Sequence, residues 1–287
     1  MRRVSFLAII ILLCCSRIFS QSNLEKVKSL RINQSEDTIT VYYSNGYYLR
    51  AVQTKNLLKK SSDYFKNKFV VKETFSIAVL DSGDWNKITE IPYGLPFVSG
   101  PPYIICIPAS SDNELGKIIK ESISGYNLNE RYSIENDEIA NLFISLIGFH
   151  ELGHIYSKAY GLKFPNKWTF EFTATYFAYS FLINDNPVDC QIWINVAEIL
   201  AEQLKPVHTR LSDFEKLYVQ VGVENYAWYQ AVFLLRAAEV NAENGHEFIK
   251  ELLKVNLTNS SNYYSLDILE KINPGFLAWA QMFKLIE

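Results

Sequence analysis

The residues best suited to do chemistry lie in the heptapeptide FHELGHI, residues 149–155. On a helix, side chains four apart share a face, so His150 and His154 can present their imidazoles to one metal ion. Glu151 then falls beside that ion rather than on it, where a carboxylate can act as general base on a water the metal holds. Ile147, Gly148, Phe149, Leu152, Gly153 and Ile155 carry no charge, as expected for a metal helix buried in a domain. Two hydrogen-bonded core histidines would be the plainer reading, and the spacing of the pentapeptide weighs against it.

Zinc needs at least one more protein ligand, with a fourth position left for water. A third histidine in the pattern HxxGxxH is absent, because Ser157 and Tyr160 stand where its Gly and His would be. Glu171 is the natural alternative. It lies 17 positions after His154, in the nearly uncharged run over residues 168–182, where a solitary carboxylate is costly to bury unless it is paired or metal-bound. The competing role is an acid interacting with the N-terminus of its own helix. His208 and His246 stand in polar surroundings without a pattern and read as surface residues.

HELGH at residues 150–154, followed by Glu171 and Ala174, resembles the gluzincin branch of the zincin metallopeptidases, the group that contains thermolysin, and especially the looser peptidase MA-like domains. The resemblance spans roughly residues 75–255, with its specific part in the two metal helices. It implies that His150, His154 and Glu171 bind zinc, and that Glu151 takes a proton from water and passes it to the leaving amine. The substrate would be a peptide or protein lying extended against an edge strand. Gluzincins commonly carry an acid four positions after the ligand glutamate to orient a zinc histidine; that position is Thr175 here. No GxMEN-type segment precedes the helix. The segment NYAWYQAVFLL, residues 225–235, resembles the tyrosine helix of gluzincins, whose phenol donates to the oxyanion. Tyr226 is the first candidate for that role and Tyr229 the second, although with Phe233 they also form an apolar stripe suited to core packing.

Elements that could position these residues follow from periodicity. A helix is expected over residues 56–69, a strand over Phe75–Leu80 and a second strand over residues 103–107, whose flanking Pro102 and Pro108 suit a sheet edge. A long helix runs from about residue 136 to Tyr160, closed by Gly161. Further helices are expected over residues 168–182, 190–204, 211–221, 226–244 and Glu247–Val255, and near the C-terminus. Strands first and helices after argue for an α+β fold, zincin-like in this reading: a small N-terminal sheet with an edge strand, then the active-site helix, the glutamate helix and a helical C-terminal subdomain.

Arg2 and Arg3 precede an apolar run over residues 4–15 and a more polar stretch ending at Ser20, the layout of a cleaved secretory leader. The run is too short to cross a bilayer as a permanent anchor, so no membrane span is expected after cleavage. Lipid attachment at Cys14 or Cys15 is the alternative. The expected divisions are a signal peptide over residues 1–20, a mixed α/β part over 21–135 and a helical part carrying the zinc site over 136–287, in a secreted or periplasmic protein. Cys106 and Cys190 remain, and in an oxidising compartment they could bridge. With 28 Lys plus Arg against 31 Asp plus Glu, a net charge of -3 and no basic stripe, nucleic acid is excluded as a partner. Oligomeric state is left open. The rival functions are a zincin-like binding domain without turnover and a secreted interaction protein.

Overall fold

The computed structural model describes residues 22–255 and 262–286 of the 287-residue chain. The leader expected over residues 1–20, with Cys14 and Cys15, lies outside them. The fold is mixed α+β. In chain order its elements are α1 (Asn23–Ser29), β1 (Asn33–Ser35), β2 (Val41–Tyr43), α2 (Tyr48–Phe69), β3 (Phe75–Leu80), α3 (Ser82–Ile88), β4 (Phe97–Ser99), β5 (Tyr103–Pro108), α4 (Glu114–Ile123), α5 (Leu128–Tyr132), α6 (Asn136–Ala159), α7 (Lys167–Asp185), α8 (Pro187–Gln203), α9 (Leu211–Leu217), α10 (Val223–Asn244), α11 (Glu247–Val255), α12 (Asn262–Ile272) and α13 (Phe276–Met282).

The strands form one sheet in the order β1-β2-β3-β5-β4. β2, β3 and β5 run parallel, while β1 and β4 pair antiparallel at the two edges. The alternating side chains of β3 and β5 are buried on both faces, as central parallel strands require. Ile77, Val79, Ile105 and Ile107 face the large core under α2 and α6, whereas Ala78, Leu80, Ile104 and Cys106 face a smaller cluster with Leu24, Val27, Trp85 and Ile88.

The expectation that residues 103–107 form the edge is therefore corrected: β5 is interior, and the edge on its side of the sheet is β4, in a Pro- and Gly-rich stretch that reads as loop. The prolines mislead because both sit at strand ends. Pro102 precedes β5 and Pro108 closes it, so no N–H is missing from the ladder between them, and Ala109 N–H resumes the pairing by donating to the Leu80 carbonyl at 2.8 Å. The helix expected over residues 211–221 is also cut short. α9 ends at Leu217, and a single 3₁₀ turn, Tyr218–Val221, follows.

Local sequence explains the bounds of α6. Glu135 and Glu138 form a reciprocal capping box at its start. At its end Gly161, at φ 90°, donates to Lys158 O and Leu162 donates to Ser157 O, the paired bonds of a Schellman turn. α7 begins at Asn166, whose side chain accepts from Thr169 N–H.

The large apolar cluster draws on the whole described chain, from Val41 and Leu58 to Phe276 and Trp279. Cys106 and Cys190 are both free and buried. His246 is not a plain surface residue: its Nε2 lies 2.9 Å from the Tyr64 hydroxyl, and its ring packs edge-on against Phe69. His208 is partly exposed and faces Asp213 at 3.7 Å. Among the described residues no helix is long and apolar enough to cross a membrane.

Candidate metal centre

α6 and α7 cross almost backbone to backbone. The contact is at Gly153, where a Cβ would come within 2.5 Å of the Ala174 carbonyl oxygen, so only glycine admits the crossing. Ala174 is one turn beyond Glu171, and the close approach carries the Glu171 carboxylate onto the histidine face of α6. Glu171 Oε2 lies 3.0 Å from His150 Nε2, and Glu171 Oε1 lies 3.5 Å from His154 Nε2. All three side chains are buried, Glu171 to 1% exposure. The competing role for Glu171 at its own helix N-terminus is not observed; Asn166 caps that end.

α10 supplies the opposite wall. Tyr226 and Gln230, one turn apart, both reach Glu171: the Tyr226 hydroxyl donates to Oε2 at 3.0 Å and the Gln230 amide at 2.9 Å. Tyr218 donates to Oε1 at 2.5 Å. Tyr218 holds φ 51° and ψ -123°, a region that costs a non-glycine residue on the order of 1–3 kcal/mol. Tyr229 is not brought to this cluster. It sits on the other face of α10, donates to the Arg210 carbonyl at 2.7 Å and packs edge-on against Phe214.

The hydrogen bonds fix the His150 tautomer. A carboxylate only accepts, so Gln230 must present its NH₂ to Glu171 and its carbonyl oxygen to Thr175, whose hydroxyl donates to it at 3.3 Å. With that proton committed, the Thr175 oxygen accepts from His150 Nδ1–H at 2.9 Å. His150 Nε2 therefore carries a lone pair when the ring is neutral, and it faces a carboxylate oxygen 3.0 Å away. Two acceptors at that distance need a second ring proton or a cation to join them. Four ligands at about 2.0–2.1 Å in a tetrahedron stand about 3.3–3.4 Å apart, so separations of 3.0 and 3.5 Å suit a small divalent ion.

Burial lowers the His154 pKa below its ordinary value, and Glu171 offsets this only in part. Burial pushes the Glu171 carboxyl up, but the positive charge of His154 and N–H bonds from the two rings, each present only while that ring carries a proton facing Glu171, outweigh it and hold the group well below the usual carboxylate range. Burial, reinforced by Glu171, raises the phenols of Tyr218 and Tyr226, so both remain donors. Burial and the negative charge of Glu171 raise the Glu151 carboxyl well above its ordinary value, against the Val98 N–H of β4, which donates to it.

Glu151 lies with His150 and His154 in a buried group whose potential ligand atoms are within 4.8 Å of one another. It borders two spaces. One is an open cleft walled by β4, His154, Phe170, Glu171 and Tyr218; the other is an apolar recess on the His150 side.

No protein-family model, curated protein or solved structure matches the chain. The site's character therefore rests on its own atoms. Sequence reasoning missed Tyr218, Gln230 and the bond between Thr175 and His150. Gln230 was findable, being the i+4 partner of Tyr226 and uncharged in an apolar helix. Tyr218 had no such signal, because only the break between α9 and α10 turns it inward.

Proposed function

We propose that this protein is a zinc-dependent peptidase of the gluzincin type, acting on peptides or proteins outside the cytoplasm. The observation that carries the reading is the convergence of His150 Nε2, His154 Nε2 and the Glu171 carboxylate, with Glu151 beside them at the head of an open cleft. Two neutral imidazoles and a carboxylate would hold the ion, with Thr175 orienting His150. Zinc in such a site supplies Lewis acidity, polarising a carbonyl and acidifying water.

The chain's own groups do the rest. Glu151 accepts the proton of the attacking water and later delivers it to the leaving amine. An extended peptide would lie along the edge strand β4, whose Val98 and Ser99 line the cleft, a mode that tolerates varied side chains. Tyr226 borders both cleft and recess, so its phenol can turn from Glu171 to a developing oxyanion. A binding domain without turnover is the second reading. It is favoured by the commitment of both Tyr218 and Tyr226 hydroxyls to Glu171, which leaves neither for the substrate.

The test is digestion of a peptide library with and without a chelator, run beside metal analysis. His150→Ala, His154→Ala and Glu171→Ala are expected to lose zinc. Glu151→Gln is expected to keep zinc while hydrolysis falls roughly 10²- to 10⁴-fold, the loss expected when a general base is removed. Unchanged turnover in fully metallated Glu151→Gln would refute the peptidase reading, and stoichiometric zinc without any turnover would favour the binding domain.

A further inference from the structure

The corner where α10 turns into α11 is fastened to α2 and α7 through one histidine. On α2 the Tyr64 hydroxyl donates to the Ser180 carbonyl of α7 at 3.0 Å, which commits its only proton. His246 Nε2, 2.9 Å from the same oxygen, is therefore the donor of that contact. The neutral ring is left with a bare Nδ1, and this atom is buried with no hydrogen-bond partner among the described residues. Phe69 packs edge-on against the ring, with centroids 6.1 Å apart, and the Tyr64 ring is tilted across it at 5.7 Å.

A second ring proton would have to go on Nδ1, where it would be a buried N–H without an acceptor on a ring that has become a cation. The surrounding charges do not offset this. Lys68 on α2 and Lys250 on α11 oppose the cation, while Glu247 on α11 favours it but is already paired with Lys250. α7 brings neutral groups, the Ser180 carbonyl and the Tyr176 phenol that donates to the Gly245 carbonyl, and the end of α6 brings the Tyr160 phenol, packed on Phe69. Of the four histidines, His150, His154 and His208 each face a carboxylate within 3.7 Å; among the described residues His246 does not.

What the corner holds in place is α11. Phe248, Ile249 and Leu252 bury its apolar face, and the Phe248 ring packs against Phe172 and Tyr176 of α7 with centroids 6.1 and 4.7 Å apart.

We infer that His246 is an acid-sensitive latch: as a neutral donor to Tyr64 it docks the α10–α11 corner, and on protonation it lets go, freeing the apolar face of α11 from α7. The latch shares no residue with the metal centre and does not depend on the peptidase reading. Burial, then Lys68 and Lys250, hold the His246 pKa below its ordinary 6.5, so the opened corner takes up a proton before the docked one does. Docking is therefore at full strength above about pH 6.5 and weakens as pH falls below it. One coupled proton changes the docking equilibrium by at most about tenfold per pH unit.

Amide hydrogen exchange of the whole protein between about pH 7.5 and about pH 5, followed by mass spectrometry, reads the latch. Protection factors, which remove the pH dependence of exchange itself, are expected to fall over residues 246–252 of the wild type by up to about tenfold per pH unit below about 6.5. His246→Gln, whose amide can still donate to Tyr64 but does not titrate, is expected to hold them level. Both proteins carry the same metal centre, so the difference between them belongs to His246. Level protection in the wild type, or an equal fall in both proteins, would overturn the inference. NMR gives a reading without a substitution, through the His246 Cε1–H resonance assigned by its contacts to Tyr64 and Phe69. Its titration midpoint is expected below the ordinary 6.5, and a midpoint at or above that value would show that the docked corner accepts the proton without penalty and that there is no latch.

Discussion

Thr175 Oγ1 lies 2.9 Å from His150 Nδ1, so a hydroxyl stands where an acid commonly orients a metal-binding histidine. Its own proton goes to the Gln230 carbonyl, and the Gln230 amide goes on to Glu171. One chain of neutral groups thus sets the His150 tautomer and steadies the carboxylate it faces. Because no charge is added, the centre keeps a smaller negative charge than a site with a second acid.

From this relay, Thr175→Val and Gln230→Leu are each expected to weaken zinc binding about 10- to 100-fold, the usual effect of losing a group that orients a ligand. Thr175→Ser should retain most of the affinity. Competition with a chromophoric chelator measures it, and wild-type affinity in Thr175→Val would show that the hydroxyl has no orienting role.

The crossing of α6 and α7 makes a separate prediction at Gly153. Its Cβ in Gly153→Ala would meet the Ala174 carbonyl oxygen at 2.5 Å, so the helices must separate. The cost is about 1–3 kcal/mol, as for overpacking a tight core, and zinc affinity should fall as well because Glu171 moves with α7. Urea unfolding beside chelator competition reads both; a stable variant with intact affinity would mean that the helices are not locked at this point.

The two tyrosines of α10 should separate by phenotype. Tyr226→Phe removes a donor at Glu171 and is expected to lower peptide turnover by 10-fold or more. Tyr229→Phe removes the bond to the Arg210 carbonyl, and its effect is expected in stability, about 1 kcal/mol. Melting curves and peptide kinetics on both variants decide; a turnover defect in Tyr229→Phe larger than that in Tyr226→Phe would reverse the assignment.

Stability should fall at alkaline pH. Burial pushes the Cys190 thiol up to about 12 from an ordinary 9.0, and the Tyr64, Tyr156 and Tyr179 phenols up to about 12 from 10.0. The folded protein holds these protons where the unfolded chain has begun to release them, so unfolding is favoured as pH rises. The contribution is complete below pH about 9 and is lost between about 9 and 12. Melting temperature across that range tests this. Cys106 and Cys190, both buried thiols, should also resist alkylation in the native protein at neutral pH and react on unfolding.

Much of the centre was legible in the chain itself because its cues are local. Helical spacing alone puts His150 and His154 on one face, with Glu151 beside them, and a lone acid in the apolar run over residues 168–182 singles out Glu171. The strands Phe75–Leu80 and Tyr103–Pro108 and the span of α6 were readable for the same reason, since side-chain period, caps and turn residues act within a few positions.

What the chain did not reveal depends on which elements meet. β4 becomes the edge only because it pairs with β5, and a three-residue strand has too little period to announce itself. Tyr218 enters the centre through a backbone turn that its residue type does not favour. The assignment of Tyr226 to Glu171 and of Tyr229 to Arg210 is a choice between two faces of one apolar helix, and periodicity is blind to which neighbour lies on each. The recess beside His150 combines residues from distant elements, so its apolar lining exists only after α4, α6, α8 and α10 have packed.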